Sequence, residues 1–264
     1  MPTTINVSNT TNTATLTALG TIAYVSETLL HEALGHGGMC LATGGRVTLL
    51  APLYMRCSEV TIQMVAAGPG VNLLAGLLSY ILLRRREAIS GAWRYTLWLA
   101  FLFNWLVAAG YAMVGAAMGF GDWEALFATV QPDWLWRLPV GAGALLLYVT
   151  TLRLASGIFV RITGLVQPDL PTRARLILVP TGAAAVVALA AQLYGQGTAT
   201  LGLALAVGCT LIPGATLVWA FDGKGRMPES PLRLPFSGSW LAAGGLIAAG
   251  FIVFIGPGLD LSAR

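Results

Sequence analysis

The chain has 264 residues, 56% of them hydrophobic and 10% charged, with a formal net charge of +4 and a mean hydropathy of +0.74. Soluble domains carry roughly a quarter charged residues, so this composition cannot cover a water-facing surface. It excludes a soluble enzyme, a secreted disulfide scaffold and a disordered tail. From Leu176 to Phe221 there is no Asp, Glu, Lys or Arg, and apolar runs of about 18 residues or more read as membrane-spanning helices.

The expected fold is an all-α polytopic membrane protein. After a polar tail, residues 1–15, seven spans are predicted, each near the roughly 20 residues that cross a bilayer. In chain order they are Leu16–Leu41, Gln63–Leu83, Tyr95–Met118, Leu138–Val160, Leu176–Leu193, Thr198–Ala220 and Ser239–Ile255. Charged, Gly or Pro breaks separate them, at Arg84–Arg86, Gly121–Asp122, Pro168–Pro171 and Asp222–Pro235. The boundary at Tyr194–Thr200 is short and uncharged, and merging across it leaves six spans.

Orientation follows from the loops. Ten Lys and Arg fall on one side of this arrangement, among them Arg84–Arg86, Arg173, Arg175 and Lys224, and four on the other, Arg46, Arg56, Arg137 and Arg264. The positive-inside rule then places the N-terminus in the cytoplasm. No basic run is interleaved with aromatic residues in a polar segment, so nucleic acid is set aside as a partner. Cys40, Cys57 and Cys209 have no CxxC spacing and imply no disulfide framework. Cys40 and Cys57 sit at the two ends of one loop, but nothing fixes their distance, and free buried thiols are the expectation.

The first span is the exceptional one. It carries Glu27, His31, Glu32 and His36 in an otherwise apolar run, and ionisable groups within a membrane are functional-site candidates by default. Glu27 and His31, four apart, can alternatively share a hydrogen bond on one helix face. His31-Glu32-Ala33-Leu34-Gly35-His36 is close to a zinc-protease signature, in which two His four apart face one metal and the Glu between them activates water. Here the spacing is five. On an α-helix that places the second His about 140° from the first, so both rings cannot reach one ion. Either a π-bulge restores the alignment, or the helix distorts at Gly35, Gly37 and Gly38.

Beyond this site the chain runs through Gly44-Gly45-Arg46-Val47 into a Val/Thr/Leu-rich stretch. The next span opens Ala66-Ala67-Gly68-Pro69-Gly70-Val71-Asn72-Leu73-Leu74. With these two motifs in this order, the first third of the chain resembles the site-2 proteases, the intramembrane zinc metallopeptidases. That family pairs a first-helix HExxH and a Gly-rich turn with a G-P-x-x-N-L-type segment.

The resemblance implies Zn²⁺ held by His31, His36 and an Asp, with Glu32 as catalytic base, acting on a membrane-protein or peptide substrate in the bilayer. The family's N-x-x-P-x-x-x-L-D-G segment is missing here. Asp122, in Gly119-Phe120-Gly121-Asp122-Trp123, takes the third ligand's role, with Glu27 as the alternative. Asn72 and Asn104 are intramembrane amides that either orient a substrate carbonyl as oxyanion donors or bond between helices.

The resemblance further suggests that Val47–Val60 forms a short membrane-surface β-hairpin that adds the substrate as an extra strand, the other reading being a plain re-entrant loop. It divides the chain into a metallopeptidase-like three-helix core, residues 16–123, and a four-helix C-terminal membrane region, residues 124–264. His31 lies about 22 Å along the first span at 1.5 Å per residue, past the midplane. The Gly68–Asn72 segment and Asp122 lie near the same outer face. The expected location is a bacterial inner membrane with the site turned outward, whereas bacterial members of the family place zinc toward the cytoplasmic half. Two other functions stay open, a catalytically inactive scaffold and a proton- or metal-handling transporter.

Overall fold

The computed structural model describes residues 11–85, 90–163, 170–195, 208, 211–219 and 232–262. Asn12 caps the first helix, its side-chain oxygen accepting from the backbone N–H of Ala14 at 2.9 Å and of Thr15 at 3.2 Å. The helical run then continues to residue 42 without a break. It is α-helical over α1 (Thr13–Leu29), π-helical over Leu30–Gly37, and α-helical again over α2 (Gly38–Ala42). Gly44, at φ 86°, turns the chain out of the helix into strands β1 (Val47–Leu50) and β2 (Met55–Cys57).

The remaining helices are α3 (Ile62–Arg85), α4 (Gly91–Met118), α5 (Gly121–Phe127), α6 (Trp134–Thr163), α7 (Leu170–Gly195), α8 (Ile212–Trp219) and α9 (Gly238–Gly250). The last continues into a second π segment, Phe251–Ile255, and then β3 (Leu259–Asp260). Five helices, Ile62–Arg84, Gly91–Met118, Trp134–Thr163, Leu170–Gly195 and Gly238–Ile255, are long and apolar enough to cross a membrane. Of the two other expected spans, the first is the composite α–π–α run. The sixth, 198–220, lies largely outside the described residues, with α8 as its described part.

Two helices organise the bundle. The α4 helix packs between α3 and α6, and α1 packs against α4, α7 and α9, so helices from both halves of the chain meet on α1. Their shared core is large and aromatic, including Trp98, Tyr95, Phe101, Phe159, Leu19 and Ile177. Buried polar ends in this core find backbone carbonyls, as a bilayer interior demands. Trp98 Nε1 donates to Ala155 O at 3.0 Å, and the Tyr95 hydroxyl donates to Leu176 O. Glycines set the closest approaches: Gly20 of α1 lies directly on the Pro180 backbone of α7, and Gly244 of α9 on Ala18.

The stretch after the first span is a hairpin, β1 pairing antiparallel with β2. A third strand was not apparent from sequence. The C-terminal β3 pairs with the other edge of β1, giving the order β2-β1-β3, and Leu261 N–H donates to Thr48 O at 2.9 Å. Both edges of β1 are therefore taken.

The expectation of free thiols is corrected. Cys40 and Cys57 form a disulfide, with Cα atoms 6.0 Å apart. The hairpin supplies the physical reason, since β2 returns antiparallel along β1 and delivers Cys57 back to the end of the helical run.

A methyl group at Gly20 would overlap the Pro180 backbone, and neither helix axis can yield cheaply. Gly20→Ala is expected to destabilise the bundle by about 1–3 kcal/mol, lowering the detergent denaturation midpoint. Gly182→Ala, whose new methyl meets nothing within 4 Å, should leave the midpoint unchanged.

Candidate metal centre

The π-helical turn resolves the spacing problem of the first span. A π turn closes its hydrogen bonds from i to i+5, so residues five apart stack on one face. His31 and His36 do so inside Leu30–Gly37, and their Nε2 atoms lie 3.1 Å apart. Asp122 joins them, its Oδ2 lying 3.2 Å from His31 Nε2 and 3.3 Å from His36 Nε2.

Asp122 arrives there through a sharp chain reversal. The α4 helix ends at Gly119, φ 67°, and Gly121, φ 80°, also takes the left-handed region, which favours glycine because it lacks a Cβ. The turn returns the chain so that Asp122, in the first turn of α5, faces the histidines.

Hydrogen bonding prepares the two imidazoles differently. His36 Nδ1 donates to the Met64 carbonyl at 2.8 Å, which leaves its Nε2 as a bare lone pair aimed at the cluster. His31 Nδ1 is buried without a hydrogen-bond partner among the described residues. Two ring nitrogens and a carboxylate oxygen thus converge, and only a proton or a cation between them relieves the repulsion of their lone pairs.

Tetrahedral zinc binds such atoms at about 2.0–2.1 Å, which makes each edge of the coordination tetrahedron roughly 3.3–3.4 Å. The three observed separations, 3.1, 3.2 and 3.3 Å, match one face of that tetrahedron. His31, His36 and Asp122 therefore form a group that can hold a metal ion, and a tetrahedral ion would keep its fourth position open.

The segment after the hairpin holds the ligands from behind. Gly35 of the π turn rests on Gly68 of α3, where a methyl at Gly35 would come within 2.6 Å of Gly68 Cα. A methyl on Gly68 would collide with His36 Nε2 and come within 2.9 Å of His31 Nε2. The Gly-Pro segment thus acts as a side-chain-free seat for the ligand rings.

In front of the site is a cavity of about 80 Å³, room for several waters at roughly 10–15 Å³ each. The first helix lines it with Glu27, His31 and Glu32, α4 with Tyr111, α7 with Gln192, and the hairpin turn caps it with Pro52 and Leu53. Glu32 is 6% exposed, and its Oε2 has no hydrogen-bond partner among the described residues.

The other sequence candidates are placed elsewhere. Glu27 is 3% exposed and accepts from Asn72 Nδ2 at 2.7 Å and from the Thr28 hydroxyl at 3.3 Å. It lines the cavity but lies outside the ligand cluster. Asn72 is fully buried and ties α3 to α1 through Glu27. Asn104 donates one turn back along α4 to Ala100 O at 2.8 Å. Neither asparagine lines the cavity.

Tyr111, Gln192 and the Met64 carbonyl were missed by sequence reasoning. Gln192 had a signal, as an amide in the charge-free stretch of the fifth span; Tyr111 had none, being one aromatic residue in an apolar span.

The fold and site together define a multi-helix membrane protein with a partly buried two-His, one-Asp cluster, of which His31 lines a small, mostly apolar cavity that also carries Glu27 and Glu32. Compared with family models, with curated proteins and with solved structures, the chain matches none.

The seat at Gly68 gives a sharp test. A metal held by this cluster should be largely lost in Gly68→Ala, measured by elemental analysis of detergent-purified protein, because the new methyl would clash with His36 Nε2 and crowd His31 Nε2. Gly70→Ala, two residues on, meets nothing within 4 Å and should retain the metal.

Proposed function

We propose that this protein is an intramembrane zinc metallopeptidase that hydrolyses a peptide bond in a transmembrane or membrane-proximal segment. One observation carries the reading. The π turn brings both histidines to the point that Asp122 reaches from α5, while Glu32, between the histidines in sequence, lines the adjoining cavity with a carboxylate oxygen that has no hydrogen-bond partner among the described residues. The same turn removes the reason for reading the five-residue spacing as a ruined site.

In this mechanism His31, His36 and Asp122 would hold Zn²⁺. When bound, the ion supplies a Lewis acid that acidifies water and polarises the scissile carbonyl. Glu32 accepts the water proton and returns it to the leaving amine. His36 is kept in its ligating tautomer by the Met64 carbonyl, and the hairpin turn at Pro52 and Leu53 limits access to the cavity. The cavity is too small for a helix, so a substrate must present a locally unwound segment. With both edges of β1 occupied, a substrate strand would add to the outer edge of β2 or displace β3.

The site faces the extracytoplasmic side in this reading. Two independent features support that orientation, the excess of Lys and Arg on the opposite face and the Cys40–Cys57 disulfide beside the site, since disulfides persist in oxidising compartments. A metal-handling transporter would use the same three ligands but has no need of Glu32 at the cavity wall.

Glu32→Gln should keep about one zinc per chain and lower cleavage of single-span membrane peptides in proteoliposomes by about 10²- to 10⁴-fold. His36→Ala should lose both metal and activity. Wild-type turnover by Glu32→Gln would reject the mechanism.

A further inference from the structure

We propose that the cavity in front of the metal centre is a specificity subsite for a lysine side chain beside the scissile bond, with the Glu27 carboxylate receiving the ammonium group. The inference rests on the metallopeptidase reading and names the class of substrate that this site takes.

One stripe of the first helix forms a wall of the cavity. Residues three and four apart on a helix share a face, and Glu27, Thr28 and His31 all line the space. Glu27 stands one turn, about 6 Å, before the ligand His31. A peptide bond held at the cluster can send a neighbouring side chain back along this stripe, a path that suits the four-carbon stem of lysine. The cavity of about 80 Å³ is narrow, which favours an unbranched side chain. Val107, Ala188, Pro52 and Leu53 give it apolar walls, the surroundings in which a methylene stem packs well.

The charge in this cavity is one-sided. Its lining holds two carboxylates, Glu27 and Glu32, and no Lys or Arg. They are only 3% and 6% exposed, and a buried charge is costly unless it is paired. The two hydrogen bonds to Glu27 come from neutral donors, the Asn72 amide at 2.7 Å and the Thr28 hydroxyl at 3.3 Å. A carboxylate has about four acceptor sites, so these two leave others for a ligand. No Lys or Arg forms an ion pair with Glu27 among the described residues. Glu32 Oε2 adds an independent mark, a buried oxygen in the same cavity with no hydrogen-bond partner among the described residues. An ammonium group supplies donors and compensating charge together. The two carboxylates divide the work by position: Glu32, between the ligands in sequence, serves the water, and Glu27, one turn back and fixed by Asn72 from α3, serves recognition.

The test uses full-length protein in detergent and two single-span peptides, identical except for lysine or its uncharged analogue norleucine at one membrane-proximal position. Binding is measured in Glu32→Gln, where cleavage is blocked and the Glu32 charge is gone. This variant should bind the lysine peptide about 10- to 100-fold more tightly than the norleucine peptide. Adding Glu27→Gln, which can still accept from Asn72, should bring the two affinities together. Wild-type protein should cleave the lysine peptide next to the lysine, as mapped by mass spectrometry. Equal affinities in Glu32→Gln, or binding of neither peptide, would overturn the subsite without any need of the second variant. A lysine preference that survives Glu27→Gln would overturn the assignment to Glu27. Preferential binding with cleavage of neither peptide by wild type would instead overturn the metallopeptidase reading, and with it the placement beside a scissile bond.

Discussion

Two imidazoles five residues apart cannot meet on an α-helix, and the rest of the site follows from how this chain meets that constraint. The first helix widens into a π turn over Leu30–Gly37, which brings residues five apart onto one face at the cost of poorer backbone geometry. A widened turn needs a partner that comes close without side chains in the way. Gly35 against Gly68 provides it, and the Gly68 position is where the two Nε2 atoms lie. The glycines of α3 and the extra residue of the first helix are therefore two halves of one solution.

The surrounding bundle keeps that solution in place. Asn72 and Glu27 link α3 to α1 just before the π turn, and His36 is tied to the Met64 carbonyl at the beginning of α3. From the other side, the left-handed glycines after α4 return Asp122 to the cluster. The hairpin that covers the cavity is itself secured twice, by the Cys40–Cys57 disulfide at β2 and by β3 along β1. The cavity wall includes α7, so a helix from beyond the first third of the chain shapes the space in which substrate would react.

What could be read from the sequence divides along a physical line. Ionisable residues in an apolar run stand out because lipid penalises them, so His31, Glu32, His36 and Glu27 were visible. Asp122 was singled out only through the resemblance, which asks for an acidic third ligand, and its place after Gly121 at the end of a span suited that role. The π turn was one of two geometries the spacing allowed, and the glycines nearby fitted both, so only the backbone could decide.

Features that depend on the chain returning on itself left no local trace. The disulfide needed the hairpin, β3 needed the C-terminal residues to come back to β1, and Tyr111 needed the angle at which α4 faces the first helix. The roles of Asn72 and Asn104 were undecidable for a related reason, because an amide in an apolar span looks the same whether it faces a cavity or another helix.

The account turns on whether both histidines of the π turn reach one ion. Zinc K-edge X-ray absorption on the purified full-length protein measures this directly. The predicted result is a four-coordinate site with two imidazoles and two oxygen ligands at about 2.0–2.1 Å, the imidazole count falling to one in His36→Ala or the metal being lost. A wild-type site with a single imidazole, or with sulfur ligands, would contradict it.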